Sequence, residues 1–348
     1  MPYQYQTSLT AAKDCACLMS KATLFLEGGE RRSIRKGQSK NKEWGDVQPL
    51  IILNNKTYPM PCGLQFAWLA VAEKKLYELG APLNTRLIEE VWNNVDDKGE
   101  PLFKYVAIGI THYGGTAVWL HGQKKQVLIA WLHAQHRQMT PEEKQQYLNG
   151  KTLDDLCSQV IDKVKEIRTI VETYPLPPSI LYDHMMQQFT YKFVPKLQIW
   201  NDDDEKWEDF EEGEGPELNY IEVKRFDGTF DRLHDGSILK YHEAGKPSHL
   251  TINWNYGTRE YTAYFFFDHE KLDPLFRRLS MLSLEGRFDF VLQIDPIEEK
   301  FIPMLQCEDV PEPIELTEES VDILVFRNKF ECYRSKHYHQ EPRAWLWV

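Results

Sequence analysis

The sequence predicts an α+β protein: two related antiparallel-sheet domains, each a strand, strand, helix, hairpin unit, joined by a helical connector. Three observations predict it. Short segments rich in β-branched and aromatic residues recur between Gly, Asn and charged turns. Helical periodicity is confined to a few capped stretches. The same order of elements then occurs twice along the 348 residues.

In chain order, a first domain is expected over residues 1–137. Its strands are "ATLFLEGG" (22–29), "LIILNN" (50–55), "GLQFAWLAV" (63–71), "YVAIGIT" (105–111), "TAVWLHG" (116–122) and "QVLIAWLHA" (126–134). One helix interrupts them at 83–94, with Leu87, Ile88 and Val91 on one face and Asn84 or Thr85 as cap. A helical connector is expected over 138–200. Thr140 and Pro141 open its first helix and Gly150 closes it. Thr152 caps the second, where Leu153, Leu156, Val160, Val164, Ile167 and Val171 recur at helical spacing as a packing face. Pro175, Pro177 and Pro178 stop it. The acidic run "NDDDEKWEDFEEGEGPE" (201–217) reads as a solvated linker. It does not fit a calcium loop, because Trp207 and Phe210 interrupt the ligand spacing. A second domain is expected over 218–348.

The repeat rests on paired positions. "PCGLQFAW" (61–68) compares with "PSHLTINW" (247–254), matching Pro61 with Pro247, Leu64 with Leu250, Phe66 with Ile252 and Trp68 with Trp254. "GERRSIRKG" (29–37) likewise compares with "GTFDRLHDG" (228–236). Each copy continues to a tyrosine-bearing strand, a helix and a hairpin, the second helix being "HEKLDPLFRRL" (269–279). Where the first hairpin has "THYGGT", the second has "DPIEEK". Both suit a turn, so the paired glycines Gly114 and Gly115 are read as a hairpin bend rather than an oxyanion-forming loop.

Composition excludes several functions. Hydrophobic residues make up 42% and charged residues 27%, as in a globular protein, and Trp 10, Tyr 17 and Phe 17 favour sheet. A net charge of −12 argues against nucleic-acid binding, which needs clustered cations. The basic segment from Arg31 to Lys42 lacks interleaved aromatics and reads as a solvated loop. No apolar run is long enough to span a membrane, and the first residues carry no signal-like pattern, so the expected location is the cytoplasm. Cys15, Cys17, Cys62, Cys157, Cys307 and Cys332 show no Cys-x-x-Cys spacing, so neither a zinc cage nor a disulfide framework is expected. His133 and His136 would ligate a metal only with a third partner. His337 and His339, near Cys332, have usable spacing but no second cluster to complete a shell. The terminal Trp345, Leu346, Trp347 and Val348 would dock into a sheet or insert into a partner.

Over about Tyr5 to His136 the chain resembles the bacterial family DUF2931, a domain of unknown function. The resemblance lies in Trp44-Gly45, a strand with Trp68, the step Lys75-Leu76-Tyr77, and Pro82-Leu83 opening a helix. It extends to a hairpin with Ile108, Gly109, Gly114, Gly115, Trp119, Leu120 and Gly122, in which His112-Tyr113 replaces the family's usual Ala-Pro. The resemblance implies that many members are lipoproteins and that some sit beside type VI secretion effectors, particularly lipase-like ones, in an immunity role. It carries over no catalytic residues. This chain departs from the lipoprotein pattern, which favours a toxin neutralised in the cytoplasm.

The expectation is therefore a non-enzymatic binding protein without a cofactor: an immunity protein that occludes the active site of a cognate protein toxin, as a monomer or a heterodimer with that toxin. Carboxylates would speed association and buried aromatics would slow release. Asp202, Asp203, Asp204, Glu205, Glu208 and Glu211, with His112 and Tyr113 at the hairpin tip, are the candidate partner contacts. The alternative is a hydrolase or small-ligand-binding protein using a cleft between the repeats. A structural or assembly protein is a third class.

Overall fold

Alternating burial along the strands, and capped amphipathic helices between them, build two units: one runs to Asp183 and the next begins at His184. The computed structural model describes residues 3–12, 15–34, 44–47, 57–96, 98–173, 176–211, 213–234, 237–297 and 299–335. The expected strand at 50–55, most of the basic segment 31–42, and the terminal histidines and tryptophans lie outside the described residues. Strands account for 50% of the structure and helices for about 19%. Most strand pairing is antiparallel, and each unit contains a parallel pair among its described residues.

The first unit contains β1 (Gln6–Ala11), β2 (Cys17–Leu26), β3 (Arg31–Ser33), β4 (Pro61–Ala70), β5 (Lys75–Pro82), α1 (Thr85–Trp92), β6 (Phe103–Ile110), β7 (Gly115–Gly122), β8 (Lys125–His133) and β9 (Gln135–Arg137). The helices α2 (Pro141–Glu143), α3 (Leu153–Lys163), α4 (Lys165–Thr173) and α5 (Ile180–Met185) follow, the last reaching into the next unit. One sheet has the order β3-β2-β4-β5-β9; in another, β1, β6, β7 and β8 are successive neighbours, with β1 parallel to β6. The predicted stripe on α3 and α4 packs on Ala16, Leu69 and Val71 around buried Cys157 and Ile167, so these helices cover the sheet of β2 and β4. Residues 31–33, at the start of the basic segment, form β3. There Arg32 lies 4.0 Å over the Tyr58 ring and donates to the Tyr5 carbonyl.

The second unit contains β10 (Gln188–Leu197), β11 (Ile199–Asn201), β12 (Lys206–Glu208), β13 (Glu217–Arg225), β14 (Phe230–Leu233), β15 (His242–Gly245), β16 (Pro247–Tyr256), β17 (Arg259–Phe267), α6 (His269–Leu282), β18 (Arg287–Asp295), β19 (Lys300–Gln306), β20 (Ile314–Glu315), β21 (Val321–Arg327) and β22 (Phe330–Arg334). Strands β14-β13-β16-β17-β21-β22 are successive neighbours, and a five-stranded sheet has the order β15-β10-β18-β19-β20, with β10 parallel to β18. Phe276 of α6 stands edge-on to Tyr191 of β10 and Phe288 of β18. In the first unit Trp92 of α1 meets Tyr5 and Phe103. These contacts fix each helix against its own parallel pair.

Candidate functional site

The hairpin bend expected at "THYGGT" is a bend, with a buried acid behind it. His112, Tyr113 and Gly114 form a single tight turn between β6 and β7, where Tyr113 takes a left-handed backbone, φ 58°. Gly114 has φ 80°, and a Cβ there would come within 2.7 Å of the Ala134 carbonyl; on Gly115 it would collide with Thr111 Oγ1 and Trp131. The glycines therefore serve close packing. Glu73, in the turn between β4 and β5, reaches this tip: Oε1 accepts from the Tyr113 N–H at 3.0 Å and contacts His112 Nδ1 at 3.1 Å, while Oε2 accepts from Tyr77 Oη at 2.6 Å. Burial pushes the Glu73 carboxyl up, yet these hydrogen bonds together hold it below the usual carboxylate range. Burial, and then the Glu73 hydrogen bond, pushes the Tyr77 phenol up. The His–Glu pair is spent on fastening two hairpins of the first unit together. His112 is only 2% exposed and faces inward, so its side chain is not offered to a partner, while Tyr113 is half-buried and donates to the Pro177 carbonyl at 2.8 Å. Glu73 had no local signal in the sequence beyond a charged turn.

The first unit also has a groove of about 830 Å³ at the C-terminal end of α1. Its floor is aromatic, from Tyr3, Tyr5, Trp92 and Phe103, and its lip carries Asp96, Glu100 and Val95. The second unit has a smaller pocket, about 350 Å³, lined by the end of α6, the start of β18 and the end of β19. Both are large enough to matter as binding sites by volume.

The first part of the expected acidic linker, to Glu208, is instead an ordered hairpin, Ile199–Asn201 against Lys206–Glu208. Trp200 of β11 and Trp207 of β12 pack edge to face at 5.4 Å, and the Lys300 ammonium lies 3.3 Å over the Trp200 ring. Asp295 Oδ2 accepts the Trp200 N–H at 2.7 Å, which ties β11 to the end of β18. Asn201 Oδ1 accepts the N–H groups of Asp203 and Asp204, shaping the turn. Asp202, Asp203, Asp204 and Glu205 are consequently exposed on a defined loop, Glu208 is half-buried and Glu211 is exposed. Lys206 pairs with Asp204 and Glu208.

A second cluster, not foreseen from the sequence, is buried in the second unit. Lys246, 0% exposed, contacts Asp273 Oδ1 at 2.8 Å and donates to the His184 carbonyl at 2.5 Å. Asp273 also pairs with Arg277 at 2.6 Å. Burial lowers the Lys246 ammonium against the pull of Asp273. His269 is held down to about 4, first by burial and then by the Lys246 charge, and its Nε2 is buried without a hydrogen-bond partner. Nearby, Asp227 accepts from Gln188 and Thr229, and buried Arg225 approaches Tyr191 Oη.

The remaining sequence candidates do not converge. His133 contacts Asp183 at 3.3 Å in the open, and His136 packs on the Tyr77 ring. Among the described residues no group of three or more His, Cys, Asp or Glu is placed to hold a metal ion, and no helix is long and apolar enough to cross a membrane. Cys157 and Cys307 are buried thiols and Cys62 and Cys332 half-buried ones.

With its paired sheets, its capped helix and a glycine hairpin clamped by a buried acid, the first unit defines an α+β domain with a concave aromatic corner. It is a domain of the DUF2931 family, a protein of unknown function, to which the chain belongs by a match over residues 2–178. The match runs beyond the hairpin to take in α2, α3 and α4. No curated protein and no solved structure matches the chain.

Proposed function

We propose that this is a non-enzymatic binding protein, acting in the cytoplasm as an immunity protein that occludes the active site of a cognate bacterial toxin of the type VI secretion kind. The observation that carries the reading is the β11–β12 hairpin, whose exposed carboxylates are held on a Trp–Trp–Lys stack rather than on a loose linker. Fixed charges of one sign steer a basic partner and raise its association rate. Tyr113 stays in the proposal as a rim contact; His112 acts only through the turn it anchors. The test is to recover the tagged protein from its own bacterium, identify what accompanies it, and then reverse Asp202, Asp203, Asp204 and Glu205 to lysine. The reading expects a stoichiometric secreted toxin whose association slows tenfold or more in the reversed variant, with the fold unchanged by circular dichroism. Unchanged kinetics would remove the hairpin from the interface, and a folded preparation without a toxin would remove the immunity role.

The same reading includes two copies of one ancestral unit. Tyr5 donates to the Pro59 carbonyl and Tyr191 to that of Gly245. The Leu26 N–H bonds Glu30 and the Glu27 N–H bonds Met60; likewise Arg225 bonds Thr229 and Phe226 bonds Lys246. Trp68 stacks on Tyr77 as Trp254 does on Tyr261, and Asn84 and Asp268 cap the corresponding helices. Each correspondence supports the pairing of Pro61 with Pro247 read from the sequence. A small-ligand role has one observation in its favour, the aromatic groove of the first unit; native mass spectrometry of the folded protein tests it by looking for a copurifying small molecule.

A further inference from the structure

Beside α6 the second unit combines an acidic pocket with an apolar lip. Glu285, Asp289, Glu308 and Asp309 line the pocket, against Arg287 as its one lining cation. Arg287 pairs with Glu285 at 2.6 Å, and Lys192 pairs with Asp289 at 3.4 Å. Both cations lie over the Tyr241 ring, at 4.7 and 4.6 Å, and so are held to one wall. The charges of Glu308 and Asp309 remain in excess. Asp309 accepts the Leu284 N–H at 2.8 Å, which fixes the lip without neutralising the carboxylate. The pocket opens at the C-terminal end of a 14-residue helix with no basic residue in its last turn, so the partial negative charge of that helix end adds to the field.

The lip is apolar and uncovered. Leu284, 89% exposed, lines the pocket, and Met281, 80% exposed, and the exposed Leu282 lie just before it at the end of α6. Exposed apolar side chains gathered in one place and rimmed by polar residues are the kind of patch that contacts a partner. A bare metal cation would gain nothing from that lip, and an apolar ligand would gain nothing from the carboxylates. A basic side chain uses both: its methylene stem covers Leu284 and Met281 while its head reaches Glu308 and Asp309.

We propose that the pocket beside α6 takes an arginine or lysine side chain of a protein partner, flanked by apolar residues that cover Met281 and Leu284. This site is separate from the acidic hairpin and does not require the partner to be a toxin. The test uses the full-length protein and fluorescein-labelled peptides of sequence Leu-Arg-Leu-Leu-Arg-Leu, with Gln replacing Arg in one control and Ser replacing Leu in another, followed by anisotropy. The Arg-Leu peptide is expected to bind at least tenfold more tightly than either control. Glu308→Gln and Leu284→Ser, both solvent-side changes, are each expected to weaken it fivefold or more, whereas reversing the charges of the β11–β12 turn leaves it unchanged. Equal affinities for the Arg and Gln peptides, no binding at millimolar peptide, or a loss that follows the hairpin reversal instead of the pocket variants would overturn the proposal.

Discussion

Glu73 shows how much one side chain can decide and how little of that is local. Its carboxylate accepts from Tyr77, from the Tyr113 N–H and from the His112 ring, across 39 residues in the last case. Gly114 was legible because a left-handed φ is a local demand, whereas Glu73 was not, because its partners meet it only after two hairpins have packed. Hydrogen bonds to a buried charge contribute about 1.5–3 kcal/mol each. Glu73→Gln keeps the shape but removes the charge, and should cost roughly 2 kcal/mol at pH 7 in urea unfolding. The sign with pH follows from the lowered carboxyl: its stabilisation is complete above the ordinary carboxylate range and is lost as pH falls through the lower folded value. The gap between wild type and variant should therefore close in acid. A gap that persisted at low pH would mean the damage came from shape and not from charge.

At the scale of elements, the caps were readable and the interruptions were not. Thr152 accepts the Asp155 N–H while Asp155 accepts the Thr152 N–H, and Thr140 and Glu143 do the same, so both starts are written within four residues. The single helix expected after Thr152 breaks at Val164, whose backbone is extended (φ −111°, ψ 98°). Arg168 bonds the Asp162 carbonyl there. The break left no mark in the apolar spacing because residues on both sides pack on one cluster. The parallel strand β1 was equally hidden: its "QTSLTA" buries two of every three residues instead of alternating, and its partner β6 is far along the chain. Thr152→Ala should cost about 1 kcal/mol, the usual value of a lost cap, and Thr152→Ser should restore most of it. If urea unfolding finds both variants equal to wild type, α3 is held by its apolar face alone.

At the scale of the molecule, the two units bury different chemistry. Where the first buries Leu26 and Met60, the second buries Arg225 and Lys246. A lysine beside a proline gives no hint of burial without Asp273, which lies on another element. The consequence is a difference in acid tolerance. His269 faces Lys246, Asp273, His184 and Arg277 and is held down to about 4 against 6.5 when free. A histidine lowered on folding contributes stability that is full above about 6.5 and is lost as pH falls toward 4, here roughly 3 kcal/mol. In the first unit His121 has the same sign, but the Gln126 hydrogen bond opposes its burial, and Glu73 responds only below the ordinary carboxylate range. Hydrogen exchange at pH 7 and pH 5, corrected for intrinsic rates, should therefore show α6 and β16 losing protection before β6 and β7. His269→Phe, which keeps a ring against Phe226, should remove most of that acid sensitivity. If the variant loses protection in α6 at pH 5 as fast as wild type, another group carries the effect and the buried histidine is only a packing residue.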